Sequence, residues 1–358
     1  MTETTNDVSV IICAYTEERW DDLVAAVESV RQQTLPPIEI IVVIDHNPSL
    51  LKKVQKHMPD VIVVENIEVR GLRGARNSGI AVAQGEIIAF LDDDAIAIPD
   101  WLMLLSVGFT DPRVLGTGGA VTPSWVDNKP AWLPEEFYWV VGCSYRGMPQ
   151  TSTNIRNPIG ANMSFRREIF DTIGDFHSEI VRIGKQHAGG CEETELCIRA
   201  HQYWPQRIFL YAPQANVFHR VPSSRTRWHY FCSRCYSEGL SKAVVTRYVG
   251  VKDSLASERA YTFQTLPHGV AHGMIDGFFH LDLSGFLRAG AIIAGLTMTT
   301  AGYLVGSMFS QVTKSKNGIY EQKLFDATAK RQDYQDSILR PAGLVDTIVF
   351  DSSRKGNT

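Results

Sequence analysis

The feature that most constrains this chain is the stretch from Gly85 to Ala95, where the apolar run Ile87 to Leu91 leads directly into Asp92, Asp93 and Asp94. A run this short, opened by a glycine, is too brief for a helix and reads as a buried strand. Adjacent carboxylates at its end repel one another and lose hydration unless a cation sits among them. Oxygen ligands suit Mg²⁺ or Mn²⁺, and such an ion commonly holds a phosphate as well. The rival reading is a solvated acidic turn before a helix at Pro99-Asp100-Trp101. The metal–diphosphate reading is preferred, because ligands of open parallel sheets bind beyond the carboxyl ends of the strands.

The residues before it set the frame. Val8 to Ala14 and Ile38 to Ile44 are continuous apolar runs, as expected of strands covered on both faces, and Val61 to Glu65 reads as a third strand. Between them come helices at about Asp21 to Gln33, with Leu23, Val24, Val27 and Val30 as the stripe and Asp21 or Asp22 as the cap, and at Leu50 to His57. Gly71 to Gly79 opens another helix running to about Gln84. This alternation predicts an α/β chain built on a doubly wound, mostly parallel sheet. Right-handed crossovers then bring Thr16, Asp45, Asp92, Asp93 and Asp94 to one rim. Arg73 and Arg76 stand at a glycine-flanked helix start, a place suited to an anion; pairing with surface carboxylates is the alternative. The glycines do not follow the first strand, so they are not a dinucleotide fingerprint.

Composition enters by what it excludes. A chain of 358 residues can hold one large domain and an appendage, and a formal net charge of −4 gives no case for nucleic-acid binding. Six cysteines scattered through apolar or motif contexts suit a reducing compartment. Cys232-Ser-Arg-Cys235 has no second pair and reads as a buried helical pair. Met1 to Asp7 is polar and acidic, with no signal peptide, so the catalytic part is expected to face the cytoplasm.

Val8 to Glu17, Asp45, Gly71 to Gly79 and Leu91 to Asp94, taken in that order, resemble the nucleotide-sugar half of a family 2 glycosyltransferase. Such enzymes have the GT-A, Rossmann-like fold, and the inverting bacterial polysaccharide and glycolipid type is the nearest pattern. The resemblance implies that Ala14, Tyr15, Thr16, Glu17 and Asp45 hold the nucleoside of a UDP-sugar or similar donor. It implies that Arg73, Arg76, Asp92 and Asp93 complete the donor site, and that Asp94 with Asp92 binds Mn²⁺ or Mg²⁺. His219, late in the chain, matches a further metal ligand of GT-A enzymes, although a structural histidine reads equally well. On the acceptor side the resemblance points to Gly160, Ala161 and Asn162, and to Arg227 and Trp228 as a mouth closing over the product. It also finds an acidic motif at Glu192-Glu193-Thr194-Glu195-Leu196, following Gly189 and Gly190. The family has Asp at the second position, where it deprotonates the acceptor hydroxyl. Here Glu193 stands there, one methylene longer, so Glu193 is the favoured base and Glu192 the alternative.

The remainder reads more locally. Val114 to Ala120 is a strand passing into a loop, and Trp125, Trp132, Tyr138, Trp139 and Tyr145 either stack on sugar or pack on the sheet. Arg220 to Arg259 holds eight Lys/Arg and three Asp/Glu, a patch for the donor diphosphate, for an anionic lipid head, or simply for solvent. His268, His272, Asp276 and His280 recur at steps of four, and are read as the polar edge of a membrane-lying helix rather than a metal site, with Phe278, Phe279, Leu281 and Phe286 toward lipid. The uncharged run Ala289 to Phe309 either spans a bilayer or lies on or within something apolar.

The expected organisation is a catalytic domain over 1–222, split into a nucleotide-sugar half (8–120) and an acceptor half (121–222). A basic-aromatic and amphipathic region (223–287), a spanning or interfacial helix (288–311) and a polar extension (312–358) follow. The expected partners are a nucleotide sugar, a saccharide or lipid-linked acceptor, and the cytoplasmic face of a membrane. A dehydrogenase, a membrane-tethered non-catalytic sugar-binding protein, and a nucleotidyl- or phosphotransferase are the rivals.

Overall fold

The computed structural model describes residues 7–177, 182–183, 186–187, 191–249 and 260–309. Gly189, Gly190 and the polar extension 312–358 lie outside them. Strands β1 (Val8–Ala14), β2 (Glu39–Ile44), β3 (Ile62–Glu65) and β4 (Ile87–Asp92) alternate with α1 (Trp20–Arg31), α2 (Pro48–His57) and α3 (Leu72–Val82). After them come β5 (Ala95–Ala97), α4 (Trp101–Ser106), β6 (Val114–Trp125), β7 (Thr153–Ile155), β8 (Asn162–Arg166) and α5 (Arg167–Ile173). The short strands β9 (Arg182–Ile183) and β10 (Gln186–His187) pair with each other, and α6 (Glu192–Tyr203) and β11 (Ile208–Val221) close the sheet region.

The main sheet runs β3-β2-β1-β4-β8-β6-β11-β5, with β7 on β11. The first four strands are mutually parallel, and β6 is parallel to β11; β8 runs antiparallel between β4 and β6. Period-two side chains explain the two faces. Val8, Val10, Ile12 and Ala14 of β1 join the core with α1, α2 and α4, whereas Ile11 joins α3, α5 and α6 on the other side. Both cores are closed, so the sheet is doubly wound and the polar residues are left at its ends.

Several local expectations are corrected. In α1, Ala26 is buried and Val24 is exposed. The helix is entered through a 3₁₀ turn at Glu17–Arg19, capped by Thr16 Oγ1, which accepts from the Glu18 N–H at 3.3 Å. Asp21 and Asp22 lie in the first turn instead of at the cap. The expected loop after Ala120 is strand, because β6 continues beside β11 as far as Trp125.

Three helices complete the described chain: α7 (Trp228–Val249), α8 (Leu266–Phe279) and α9 (Leu283–Phe309). They share a core with the sheet, since Phe231, Cys235, Leu266, Ala291 and Ile292 join Val121 and Phe137 in one cluster. Helices α7 and α9 touch backbone to backbone: a Cβ on Gly302 would run into the Tyr236 carbonyl oxygen. Asp276 of α8 is paired with Arg288 of α9 at 2.8 Å and with His272 and His280 at 3.2 and 3.1 Å, so the four-step histidine row ends in an ion-pair cluster. Phe278, Phe279 and Leu281 are exposed as expected, but Phe286 is half-buried, edge-on to Phe278. All six cysteines are free.

Candidate active site

The carboxyl ends of β1, β2 and β4 open into a cavity of about 1000 Å³, closed on its far side by α6, α7 and the segment before α8. At one corner Asp94 Oδ1 meets His219 Nε2 at 3.1 Å, and both side chains are buried. Burial alone would raise the Asp94 carboxyl. The hydrogen bond and charge of His219, helped by Arg19 and Arg225, overcome this and hold it below the usual carboxylate range. Burial likewise opposes charge on His219, yet Asp94 and Cys143 raise it. Gly142 leaves room for the imidazole: its φ is +81°, and a Cβ there would stand 3.3 Å from His219 Cε1.

Asp92, Asp94 and His219 offer ligand atoms that all lie within 4.8 Å of one another. A six-coordinate ion with bonds of about 2.1 Å sets its ligands roughly 3–4 Å apart, so small side-chain adjustments would close this set on one ion. Two oxygens and an imidazole nitrogen suit Mn²⁺ better than Mg²⁺. Asp93 turns aside from that set. Its Oδ1 accepts from Arg19 at 2.9 Å, Oδ2 is buried without a hydrogen-bond partner, and burial pushes its carboxyl up to about 7 against the pull of Arg19.

The other corner belongs to α6. Cys191 sits in the left-handed region (φ +71°), turning the chain so that Glu192 and Glu193 open the helix at the cavity wall. Burial, then the Glu192 charge, raises the Glu193 carboxyl to about 7. Glu192 Oε1 lies 3.9 Å from Arg76 Nη1, while its Oε2 is buried and without a hydrogen-bond partner. Arg76 is itself buried; its Nη2 donates to the Gly160 carbonyl at 2.9 Å and lies 3.6 Å from Asp92. This single guanidinium therefore ties the aspartate strand to the acidic helix. Glu195 of the same motif is spent on Arg199 and His177.

Of the residues singled out from sequence, Ala14, Tyr15, Asp45, Arg76, the three aspartates, Gly160, Ala161, Glu192, Glu193 and His219 line this one cavity. The rest are placed elsewhere. Thr16 caps the 3₁₀ turn and Glu17 is exposed. Arg73 donates to the His177 carbonyl. Trp228 stacks on Phe231 beside Trp132, and Arg227 is exposed away from the cavity. Trp139 and Tyr145 do reach the cavity wall, whereas Trp125 packs on Tyr138.

Asn162 is fully buried, its Oδ1 accepting from Trp101 Nε1 and its Nδ2 donating to the carbonyls of Ala120 and Ala215. It stitches β8, β6, β11 and α4 together instead of meeting an acceptor. Asn162→Ala leaves these groups unpaired and is expected to lower stability by about 3 kcal/mol, read as a shifted urea midpoint.

The sequence profile described as Glycosyl transferase family 2 matches residues 9–174. Over 242 residues the chain is 36% identical to the glucosyl-dolichyl phosphate glucuronosyltransferase of Haloferax volcanii, covering 66% of this chain and 77% of that protein. The chain belongs to glycosyl transferase family 2. A shorter match, 38% identical over 89 residues, links this glycosyltransferase to the UDP-Glc:alpha-D-GlcNAc-diphosphoundecaprenol beta-1,3-glucosyltransferase WfaP of Escherichia coli, covering 24% of this chain and 35% of that one. Among solved structures, the Pyrobaculum calidifontis mannosyltransferase PcManGT, in complex with GDP-Man and Mn²⁺, superposes with a TM-score of 0.52 at 17% identity, covering 87% and 88% of the two chains. That likeness is one of fold, and the fold is GT-A.

Sequence reasoning missed two arginines of this cavity. Arg19 reaches back from the 3₁₀ turn to Asp93 and Asp94, at 2.9 and 3.0 Å, and Arg225 stands 3.8 Å from Asp94. Arg19 directly follows the Tyr-Thr-Glu-Glu loop, which was the available signal. Arg225 carried none beyond its basic neighbourhood.

Proposed function

We propose that the chain is a metal-dependent, inverting glycosyltransferase that moves a sugar from a nucleoside-diphosphate donor to a hydroxyl of a lipid-linked saccharide. The observation that carries this reading is the pairing, across one cavity, of the Asp92, Asp94 and His219 corner with the Glu192 and Glu193 corner. Ala14, Tyr15 and Asp45 belong to the nucleoside end. Asp45 is preset there, accepting from Asn66 Nδ2 at 2.6 Å and from the Gly71 N–H at 2.9 Å. Asp92, Asp94 and His219 would hold Mn²⁺ or Mg²⁺, whose charge would offset that of the leaving diphosphate.

Glu193 takes the proton of the acceptor hydroxyl as that oxygen bonds to the anomeric carbon and the carbon–diphosphate bond breaks on the opposite face. A base whose pKa lies near neutrality is well matched to this work, and burial supplies the match. Glu192, held by Arg76, positions α6. The two relatives named for dolichyl phosphate and diphosphoundecaprenol carriers support a lipid-linked acceptor. The test is a panel of nucleotide sugars with Mn²⁺ and a lipid-linked glycoside, with product stereochemistry read by NMR. Retention of configuration, or nucleotidyl transfer in place of sugar transfer, overturns it.

Helix α9 is long and apolar enough to cross a membrane between Leu283 and Met308, and about a third of an 18-residue apolar stretch within it is buried in the protein. We place it in the interface, at the cytoplasmic face. Contacts with α8, Phe137 and α7 occur along its length, so it cannot insert alone. The exposed tip at Phe279, Leu281 and Leu283 supplies the apolar footing. Removing residues from Ser284 onward would strip the core as well, so point changes are the cleaner probe. Phe279→Asp with Leu281→Asp is expected to weaken flotation with anionic vesicles by tenfold or more, since each side chain contributes roughly 1.5–3 kcal/mol when buried. Retention on membranes through alkaline carbonate washing would indicate a span instead.

A further inference from the structure

One buried thiol of the cavity wall, Cys143, has no part in the chemistry above. It stands behind the metal corner, where its Sγ lies 3.7 Å from His219 Nδ1; the other ring nitrogen, Nε2, meets Asp94 Oδ1 at 3.1 Å. Among the described residues these are the two polar side chains on the imidazole, and all three groups are buried. The thiol is held by its backbone. A 3₁₀ helix over Glu135–Val141 ends at Gly142 in the left-handed region, and the Cys143 N–H then donates to the Tyr138 carbonyl at 3.1 Å. The next residue is clamped to β6: the Ser144 N–H donates to the Val121 carbonyl and Ser144 Oγ accepts from the Val121 N–H, both at 2.9 Å. His219 is fixed as firmly, on β11 between β5 and β6, opposite Ala95 and Pro123. The meeting of thiol and imidazole is therefore set by the fold on both sides.

The contact bears on the metal because the two ring nitrogens are not independent. An ion can be bound through Nε2 only when the ring proton is on Nδ1, and the partner of Nδ1 decides where that proton rests. A buried N–H also needs an acceptor. Cys143 Sγ can be that acceptor, because the thiol's own hydrogen has the Val141 carbonyl to go to, 3.8 Å away. The opposite arrangement, with the thiol hydrogen on Nδ1, would leave the ring proton on Nε2, aimed at Asp94 and closing that nitrogen to a metal.

We propose that Cys143 is a positioning residue of the metal corner: its sulfur accepts the Nδ1 proton of His219 and so presents Nε2 to the ion. The proposal rests on the reading of Asp92, Asp94 and His219 as the metal ligands. Its test is a binding measurement, independent of turnover. Mn²⁺ alone is titrated into the full chain, and the free ion is read by electron paramagnetic resonance. The variants are Cys143→Ala, Cys143→Ser, His219→Ala and the double variant of Cys143→Ala with His219→Ala, each shown to unfold cooperatively.

Cys143→Ala is expected to weaken Mn²⁺ binding by roughly tenfold, the lower end of the range for losing the outer partner of a metal-bound histidine. Cys143→Ser differs from it by one oxygen that can accept the same proton, and should keep most of the affinity. His219→Ala should weaken binding at least as much as Cys143→Ala. Once His219 is gone, adding Cys143→Ala should cost nothing further, because the thiol acts only through the imidazole. A role in packing alone would not produce that coupling, so additive losses in the double variant would overturn the proposal. Serine binding as weakly as alanine would overturn it too, by removing the hydrogen bond from the argument. Full affinity in Cys143→Ala beside a weakened His219→Ala would overturn the thiol's role and leave the metal set standing. Mn²⁺ affinity unchanged in His219→Ala would overturn that set, and this proposal with it.

Discussion

Asp94→Asn is expected to abolish Mn²⁺-dependent binding of the nucleoside diphosphate and to lower transfer by about a thousandfold or more. The carboxylate is the hub of its corner, with Oδ1 on His219 at 3.1 Å and Oδ2 on Arg19 at 3.0 Å. Asparagine preserves its shape and removes its charge, so both the metal ligand and the counter-ion of two cations are lost. Alanine is the poorer probe. Unlike asparagine, it also removes the side-chain oxygen that can still accept from His219 or Arg19, so lost hydrogen bonding and packing are added to the lost charge. Calorimetric titration of the diphosphate with and without Mn²⁺, on protein shown to be folded, gives the answer. An Asp94→Asn variant whose affinity still rises on adding Mn²⁺ would remove Asp94 from the metal set. Asp93→Asn is expected to do less, since Asp93 bonds to Arg19 and stands outside the ligand cluster.

What could be read from the sequence divides along a physical line. Buried parallel strands are continuous apolar runs, so β1, β2 and β4 were visible, and the carboxylates at their ends came with them. Ile87, Ala89 and Leu91 face one core, Ile88 and Phe90 the other, which is why no polar residue interrupts the run. Strand β8 was not visible. Asn162–Arg166 is short, mixed in polarity and held between β4 and β6 by pairing that depends on residues far away in the chain. The same limit governed side chains. Whether Asn162 meets a substrate or three backbone and indole partners depends on where Trp101, Ala120 and Ala215 arrive. Arg19 and Asp93 are 74 positions apart, and no local pattern announces a pair at that separation. Of the residues the motif resemblance named, Asp45, Asp92, Asp93, Asp94, Glu192 and Glu193 line the cavity, whereas Thr16, Glu17, Arg73, Arg227 and Trp228 do not; Thr16 caps a turn, Arg73 donates to a carbonyl and Trp228 stacks on Phe231.

Glu193→Gln is expected to lower transfer by at least about a hundredfold while leaving metal and donor binding intact, the usual scale for loss of a general base. The amide is nearly isosteric and cannot accept the acceptor's proton. Glu192→Gln is expected to act differently. It removes the partner of Arg76, a guanidinium that also touches Asp92 and the Gly160 carbonyl, and so loosens both halves of the site together. The pH dependence separates the two residues further. Burial and the Glu192 charge raise Glu193 to about 7, and only its deprotonated form can act as the base. Transfer should therefore be full above that pH and should decline toward tenfold per unit as pH falls below it, measured at saturating metal and donor. The residual activity of Glu193→Gln should lack this decline. In Glu192→Gln, with the neighbouring negative charge gone, the midpoint should move to lower pH, because the largest cause of the upward shift after burial is removed. If Glu192→Gln instead abolishes transfer with donor binding intact, and Glu193→Gln keeps wild-type rate and pH dependence, the base is one residue earlier than assigned here.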